Sequence, residues 1–336
     1  MTLRLRSSRQ ETSGLTAQRG TITALSICCC LLSLFSSIAV AQIGGKAGAF
    51  SRLGFGARGM GMANALTAVT SGEIVGYYNP AVLPWAEHRY AAATFGILAF
   101  DRTLNFISYS QPVKPNAGIS AGIINSGVSD IDGRDSDGEP TGPLRTSENQ
   151  VFLAFSARLQ SGFSVGINIK FYHHHLYTDV TATKVGLDFG ALVPIGESLT
   201  LGATVRDINS EYKWDTSKLY GQRGTTTTDR FPLLYTVGAA YKLPDTLGLV
   251  SFDIEASDQK TLIARVGIEY PLIKEITLRG GIDRIDLKEK GNGVRPTFGF
   301  TARTGFDAWS PAVHYAFIIE PFASSAMHII SLSVTF

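Results

Sequence analysis

Apolar and polar residues alternate along most of this chain. In "GFSVGINIKFY" (162–172), Phe163, Val165, Ile167, Ile169 and Phe171 share one face, and Ser164, Gly166, Asn168, Lys170 and Tyr172 share the other. "TLIARVGIEY" sets Leu262, Ala264, Val266, Ile268 and Tyr270 against Ile263, Arg265, Gly267 and Glu269. "GVRPTFGFTAR" sets Val294, Phe298, Phe300 and Ala302 against Arg295, Thr297, Gly299 and Arg303. A period of two means β-strands, because successive side chains point to opposite faces. The pattern predicts strands near 89–99, 103–111, 116–127, 150–160, 162–173, 181–193, 197–208, 231–242, 247–256, 261–271, 274–285, 293–304, 306–318 and 327–336.

A soluble sandwich alternates in the same way, with its apolar face buried. Three features favour a transmembrane antiparallel β-barrel of about fourteen strands. The segments are longer than ordinary globular strands and match a tilted membrane crossing. Their non-apolar face carries Gly, Ser, Thr and single charges, as a polar lumen would. Aromatics gather near segment ends, at Tyr90, Phe171, Tyr172, Phe231, Tyr241, Tyr270, Trp309 and Phe322, as interfacial girdles do. Connections alternate between tight ("PVKP", "QSG", "IGE", "LPDT", "PLIK") and long (128–149, 209–230, 319–326). That asymmetry is the one expected of periplasmic turns and extracellular loops. The last segment, "HIISLSVTF", puts Ile330, Leu332, Val334 and Phe336 on one face. A terminal aromatic such as Phe336 resembles the signal read by outer-membrane barrel-assembly machinery.

Residues 42–87 break the alternation. "LGFGARGMGMANALTAV" is rich in Gly and Ala, and a short helix over 57–70 is predicted, though its glycines weaken it. A segment this small-residued needs packing around it, which a wide barrel lumen supplies. Gly54, Gly56 and Gly59 also match the spacing of a dinucleotide-binding turn. That turn requires a hydrophobic strand before it, and "IGGKAGAFSRL" is not one. Glycines that let backbone approach the lumen wall closely explain the motif better.

Ahead of this segment, Arg4, Arg6, Arg9 and Arg19 precede the uncharged run "ALSICCCLLSLFSSIAV". Small residues at Ala39 and Ala41 complete the pattern of a secretory signal peptide over 1–41. All three cysteines (Cys28, Cys29 and Cys30) fall inside it, so the processed chain has no thiol for a disulfide, a metal or a nucleophile. Residues 1–41 hold four Arg and one Glu, so the +2 of the whole chain becomes about −1 without them. Nucleic acid is therefore not an expected partner. The organisation read from the sequence is a signal peptide (1–41), an N-terminal hatch (42–87) and a barrel (88–336).

Three clusters carry possible chemistry. "DIDGRDSDGEP" brings Asp130, Asp132, Asp135 and Asp137 into one loop, where spaced carboxylates could take calcium. Arg134 occupies a ligand position of the EF-hand pattern, and a solvated acidic loop is the simpler reading. His173, His174 and His175 are adjacent, but neighbours on a strand end point to opposite sides and so do not share a metal. His314 and many serines are present, yet no spacing marks a nucleophilic triad. Neither an enzyme nor a cofactor is expected.

"GARGMGMANALTAV…YYNPAVL" resembles the N-terminal signature of the PorV/PorQ proteins, relatives of the FadL-type outer-membrane transporters. The match falls on Gly56, Ala57, Arg58, Gly59, Gly61, Ala63, Ala65, Tyr78, Asn79, Pro80 and Ala81. The resemblance implies a hatch, including Gly54, lodged inside a fourteen-stranded barrel integral to the bacterial outer membrane. It implies lipids and the barrel-assembly machinery as partners, and a non-catalytic role with secretion-system proteins or their cargo. The alternative that it carries is passive transport of long-chain fatty acids or other hydrophobic small molecules. Where relatives have an Asp and an Ala-rich stretch, this chain has Ser71-Gly72-Glu73.

Overall fold

The computed structural model describes residues 44–159, 162–244, 247–288, 293–306 and 308–336. The expected signal peptide lies outside the described residues. Seven strands come first: β1 (Tyr90–Ile97), β2 (Arg102–Val113), β3 (Ala117–Arg134), β4 (Pro140–Arg158), β5 (Ser164–Tyr177), β6 (Val180–Ile195) and β7 (Leu199–Ile208). A small hairpin follows, β8 (Glu211–Asp215) and β9 (Thr226–Arg230). Seven more complete the wall: β10 (Leu234–Lys242), β11 (Leu249–Ser257), β12 (Leu262–Pro271), β13 (Ile276–Asp286), β14 (Arg295–Arg303), β15 (Ser310–Ile318) and β16 (Met327–Thr335).

The fourteen strands other than β8 and β9 form one closed antiparallel barrel. Its seam pairs β1 with β16, from Tyr90↔Thr335 to Ile97↔His328. Phe336 extends this seam, exchanging two backbone hydrogen bonds of 3.0 Å with Arg89. Closure satisfies the strand backbone groups within the wall, as a lipid surround demands.

The alternation read from the sequence is the wall's inside–outside code. Val165, Ile169 and Phe171 face outward, while Ser164, Asn168, Lys170 and Tyr172 are buried toward the lumen. Phe95, Val237, Phe298 and Leu332 are more than half exposed. A soluble protein does not cover itself with such residues, but lipid does. The fold is a closed β-barrel of the outer-membrane type. Its hallmark is expected on gels: unheated protein in mild detergent should migrate differently from boiled protein, and a single unshifting band would contradict the closed barrel.

Several local expectations are corrected. The loop over 128–149 is largely a β-hairpin, because β3 and β4 go on pairing beyond a register shift after Val128. The loop over 209–230 contains β8 and β9, whose Trp214 donates to Asp229 at 2.7 Å. The β1–β2 connection, short in the sequence as an exception to the long loops at this end, is a tight turn in which Phe100 and Asp101 both take positive φ (63° and 53°). Three residues assigned to the aromatic girdles, Tyr90, Tyr172 and Phe231, are instead buried. Phe171, Tyr241, Tyr270, Trp309 and Phe322 remain exposed.

Candidate functional site: the hatch and the lumen wall

Residues 44–87 fill the barrel interior. Helix α1 (Gly56–Gly61) spans six residues rather than the expected 57–70. It stops where Ala63 and Asn64 adopt positive φ (55° and 61°), which no continuing helix allows. A 3-10 helix over Pro80–Trp85 ends the segment. Asn79 caps it, accepting from the Ala81 N–H at 2.9 Å, and Pro80 takes the first helical position.

At several wall glycines the hatch backbone comes close enough to exclude a side chain. A Cβ on Gly202 would lie 3.0 Å from the Thr67 carbonyl carbon and 3.1 Å from the Ala68 Cα. One on Gly118 would strike Leu83, one on Gly166 would strike Pro80 and Ala81, and one on Gly267 would strike Met62. These wall glycines sit on inward positions of their strands, so the barrel is grooved where the hatch docks. The hatch's own motif has a similar origin. Gly54 and Gly56 take φ of +128° and +68°, and a Cβ on Gly59 would enter the Tyr78 ring. At Gly61 it would meet only ordinary contacts, the nearest Ala316 at 3.5 Å. The glycine spacing that mimics a nucleotide turn serves a turn and close packing.

Polar side chains then fasten hatch to wall. Arg58 forks onto Glu269 of β12, Nε to Oε2 at 3.0 Å and Nη2 to Oε1 at 3.1 Å, and donates Nη1 to the Glu73 carbonyl at 2.9 Å. Arg279 of β13 holds the same Glu269 at 2.6 Å. Glu73 lies 3.6 Å from the Arg58 Nε and is paired with Arg303 of β14. Burial disfavours charge on Arg58, but the carboxylates of Glu269 and Glu73 outweigh it and raise its pKa. Burial likewise disfavours the Glu73 carboxylate, but Arg58 and the neighbouring cations pull its pKa below the usual range. Elsewhere Thr67 donates to Asp253 at 2.7 Å, Asn64 to Asp283 at 3.2 Å, and Asn79 to the Thr67 and Ala191 carbonyls. The Tyr78 hydroxyl accepts from the Phe55 N–H at 2.8 Å and meets the Asn64 Oδ1 at 2.8 Å.

Glu269, Arg279 and Arg303 were not singled out from the sequence, and Glu73 only as a departure from the family pattern, although alternation had placed Glu269 and Arg303 on the inner face. Lys170 is another such residue. It is fully buried in the wall, between Asp188 (2.8 Å) and Asp207 (2.9 Å).

The other candidate residues resolve differently. Asp132 is bound by Arg134, and one Asp135 oxygen accepts the N–H groups of Asp137 and Glu139. Asp130 sits at a positive-φ bend (57°) in β3. Among the described residues no group of three His, Cys, Asp or Glu converges on a metal-sized space. His174 turns inward to pack edge-on against Tyr212 and Trp214, whereas His173 faces out toward Thr183. The hairpin β8–β9 is thereby held against the wall. His314 lies between Thr301 and Ser333, at 2.7 Å from each. Among the described residues its ring hydrogen-bonds hydroxyls rather than the carboxylate that a triad uses.

Among the described residues the hatch leaves a cavity at each end of the barrel and smaller spaces between. At the loop end, about 340 Å³ lies over Phe50, Leu53 and Leu98, rimmed by Arg102, Arg295 and Glu320. At the turn end, about 330 Å³ opens beside Thr70–Glu73, Trp85 and Arg303. Between them, a space of about 40 Å³ is lined by Phe55, Leu66, Val69, Ile74 and Val82 together with the polar Arg58, Glu73 and His314.

These features define a β-barrel of the outer-membrane type whose N-terminal segment packs inside its own lumen. No protein-family model matches the chain, and no curated protein matches it by sequence. Solved structures do share its fold. The toluene transporter TodX of Pseudomonas putida superposes with a TM-score of 0.59 at 14% identity, covering 84% of this chain and 97% of that one. The CymD monoaromatic hydrocarbon channel gives 0.62 at 12% identity, over 84% and 97%. A Pseudomonas aeruginosa FadL homologue gives 0.60 at 11% identity, over 84% and 98%. The barrel is FadL-like in fold.

Proposed function

We propose that the protein is a passive transporter of hydrophobic small molecules, with long-chain fatty acids and aromatic hydrocarbons as the classes to test. The mostly apolar space of about 40 Å³ between hatch and wall, with a vestibule at either end, carries this reading. An apolar solute would leave water at the loop-end vestibule and be drawn inward by burial of its surface and by its gradient. The central cavity is small. An apolar protein cavity that holds benzene measures about 150 Å³, so the hatch has to shift for even one ring to pass. The fold shared with a toluene transporter and a hydrocarbon channel supports the reading.

The expected result is that intact cells producing the barrel take up labelled toluene or oleate several-fold faster than cells producing an unrelated barrel. Equal rates for both probes would refute it. A second reading, association with protein secretion, rests on the PorV/PorQ-like hatch motif around Arg58 and Asn79-Pro80-Ala81. Recovery of secretion-machinery proteins with the detergent-solubilised barrel, without bound lipid or hydrocarbon, would favour that reading instead.

A further inference from the structure

On one side of the barrel the outer surface of the wall changes chemistry along a single line. Asn105 of β2 stands opposite Asn125 of β3, Asn125 opposite Asn149 of β4, Asn149 opposite His173 of β5, and His173 opposite Thr183 of β6. Each alternates with buried lumen-side neighbours such as Leu104, Ile124, Gln150, Tyr172 and Ala182, so all five point away from the lumen. The register therefore lays five polar side chains in one row across five strands. One row nearer the turn end, the outward residues are the exposed Ile107, Ile123, Val151, Phe171 and Val185. One row nearer the loop end they are Thr103, Gly127, Ser147, His175 and Thr181. The apolar band ends at the asparagines. The opposite wall finishes differently at its loop ends, since β10 opens outward with Tyr235 and β15 closes outward with Phe317.

The row is only half knit together. Asn105 donates to Asn125 at 3.5 Å, Asn125 donates to Asn149 at 2.8 Å, and His173 lies 3.1 Å from the Thr183 hydroxyl. A carboxamide carries two N–H donors and two acceptor lone pairs. These bonds use one donor and one acceptor of Asn125, and the three asparagines remain partly exposed. The spare groups sit at the rim of the lipid-facing band, where an unmet amide costs free energy. The loop end of such a barrel lies on the outer side of the membrane, so the partner belongs to the outer leaflet. The two polar rows hold amides, hydroxyls and imidazoles, and no Lys, Arg, Asp or Glu. Phosphate and carboxylate groups are gripped best by cations. Sugar hydroxyls, each a donor and an acceptor, instead match amides and hydroxyls.

We propose that the outer face of β2–β6 is a ledge that docks the sugar head group of an outer-leaflet glycolipid on the Asn105–Asn125–Asn149 row, with its acyl chains along the apolar row beneath. The ledge concerns the outside of the wall alone, and it stands or falls apart from what passes through the lumen.

Native mass spectrometry of the detergent-solubilised barrel tests this, with equal amounts of diglucosyl diacylglycerol and phosphatidylglycerol offered together. The parent should retain the glycolipid in preference. Asn125→Ala combined with Asn149→Ala should lower that retention about tenfold, as expected when two hydrogen-bonding amides are removed. Tyr235→Ala, on the opposite wall, should leave it unchanged. Retention should also survive incubation in salt raised from about 50 to 500 mM, which weakens contacts between exposed charges. Both asparagines point out of the wall, and an unchanged gel-mobility shift on heating verifies each fold. Asn125→Ala alone is the milder variant and should fall between parent and double variant. Equal retention of the two lipids by the parent, or full retention of the glycolipid by the double variant, would overturn the ledge. So would paired barrels in place of bound lipid, which would make the row a contact between copies of this chain.

Discussion

Deleting residues 44–85 is expected to turn a closed barrel into an ion-conducting pore. The wall is complete without the hatch, because every barrel strand pairs with a barrel strand on each side. What closes the lumen is the hatch. Its backbone fills the grooves at Gly118, Gly166, Gly202 and Gly267, leaving small spaces of about 40 Å³ and 20 Å³ against the wall among the described residues. Without it, the inward Lys170, Asp188, Asp253, Glu269 and Arg279 would face water rather than protein. Charged groups that already have wall partners, such as Lys170 with Asp188 and Arg279 with Glu269, tolerate that hydration. Planar-bilayer recordings should show stable ohmic steps for the deletion variant and a closed baseline for the full protein. A variant that inserts, shifts on heating and still does not conduct would mean that loops, not the hatch, seal the lumen.

Arg58→Ala is expected to give the largest single-residue loss of stability in the hatch. Removing one partner of a buried, hydrogen-bonded charge pair costs about 3–5 kcal/mol, because the other charge stays behind. Arg58 is 7% exposed and spends three hydrogen bonds on Glu269 and Glu73. Arg279 remains on Glu269 and Arg303 on Glu73, which places the loss near the lower end, about 3 kcal/mol. The temperature at which the gel-mobility shift occurs should fall clearly. Arg58→Lys should recover little of it, since an ammonium cannot reproduce the fork that grips both Glu269 oxygens. An unchanged transition would mean that the pair contributes nothing net.

The barrel was legible in the sequence and the network inside it was not, for a physical reason. Lipid outside and water or polar protein inside impose a period of two on every strand, so Val165, Ile169 and Phe171 announce their face from spacing alone. The continuation of β3 and β4 past Val128 was hidden, because beyond the lipid the pattern no longer has to alternate. Inward charges such as Glu269 and Arg303 were also visible as inward. Their partners were not, since Arg58 and Glu269 lie 211 residues apart and meet only once the barrel closes around the hatch. The glycines at 54–59 gave the reverse case. Their spacing invited a nucleotide, and only the absence of a preceding strand argued against one. The structure supplies the physical reason in the Tyr78 ring beside Gly59 and the positive φ at Gly54 and Gly56.

The grooves at Gly118, Gly166, Gly202 and Gly267 have a consequence for how this chain tolerates change. In most proteins the bulky interior residues are the ones that resist substitution. Here the lipid-facing Phe95, Val237 and Leu332 should exchange freely for other large apolar groups, since a fluid surround fits any shape. The intolerant positions should be the ones with no side chain at all, where a single added carbon meets main chain that has nowhere to go. A saturation-mutagenesis map of this wall should therefore run opposite to residue size, with its deepest minima tracing the outline of the hatch.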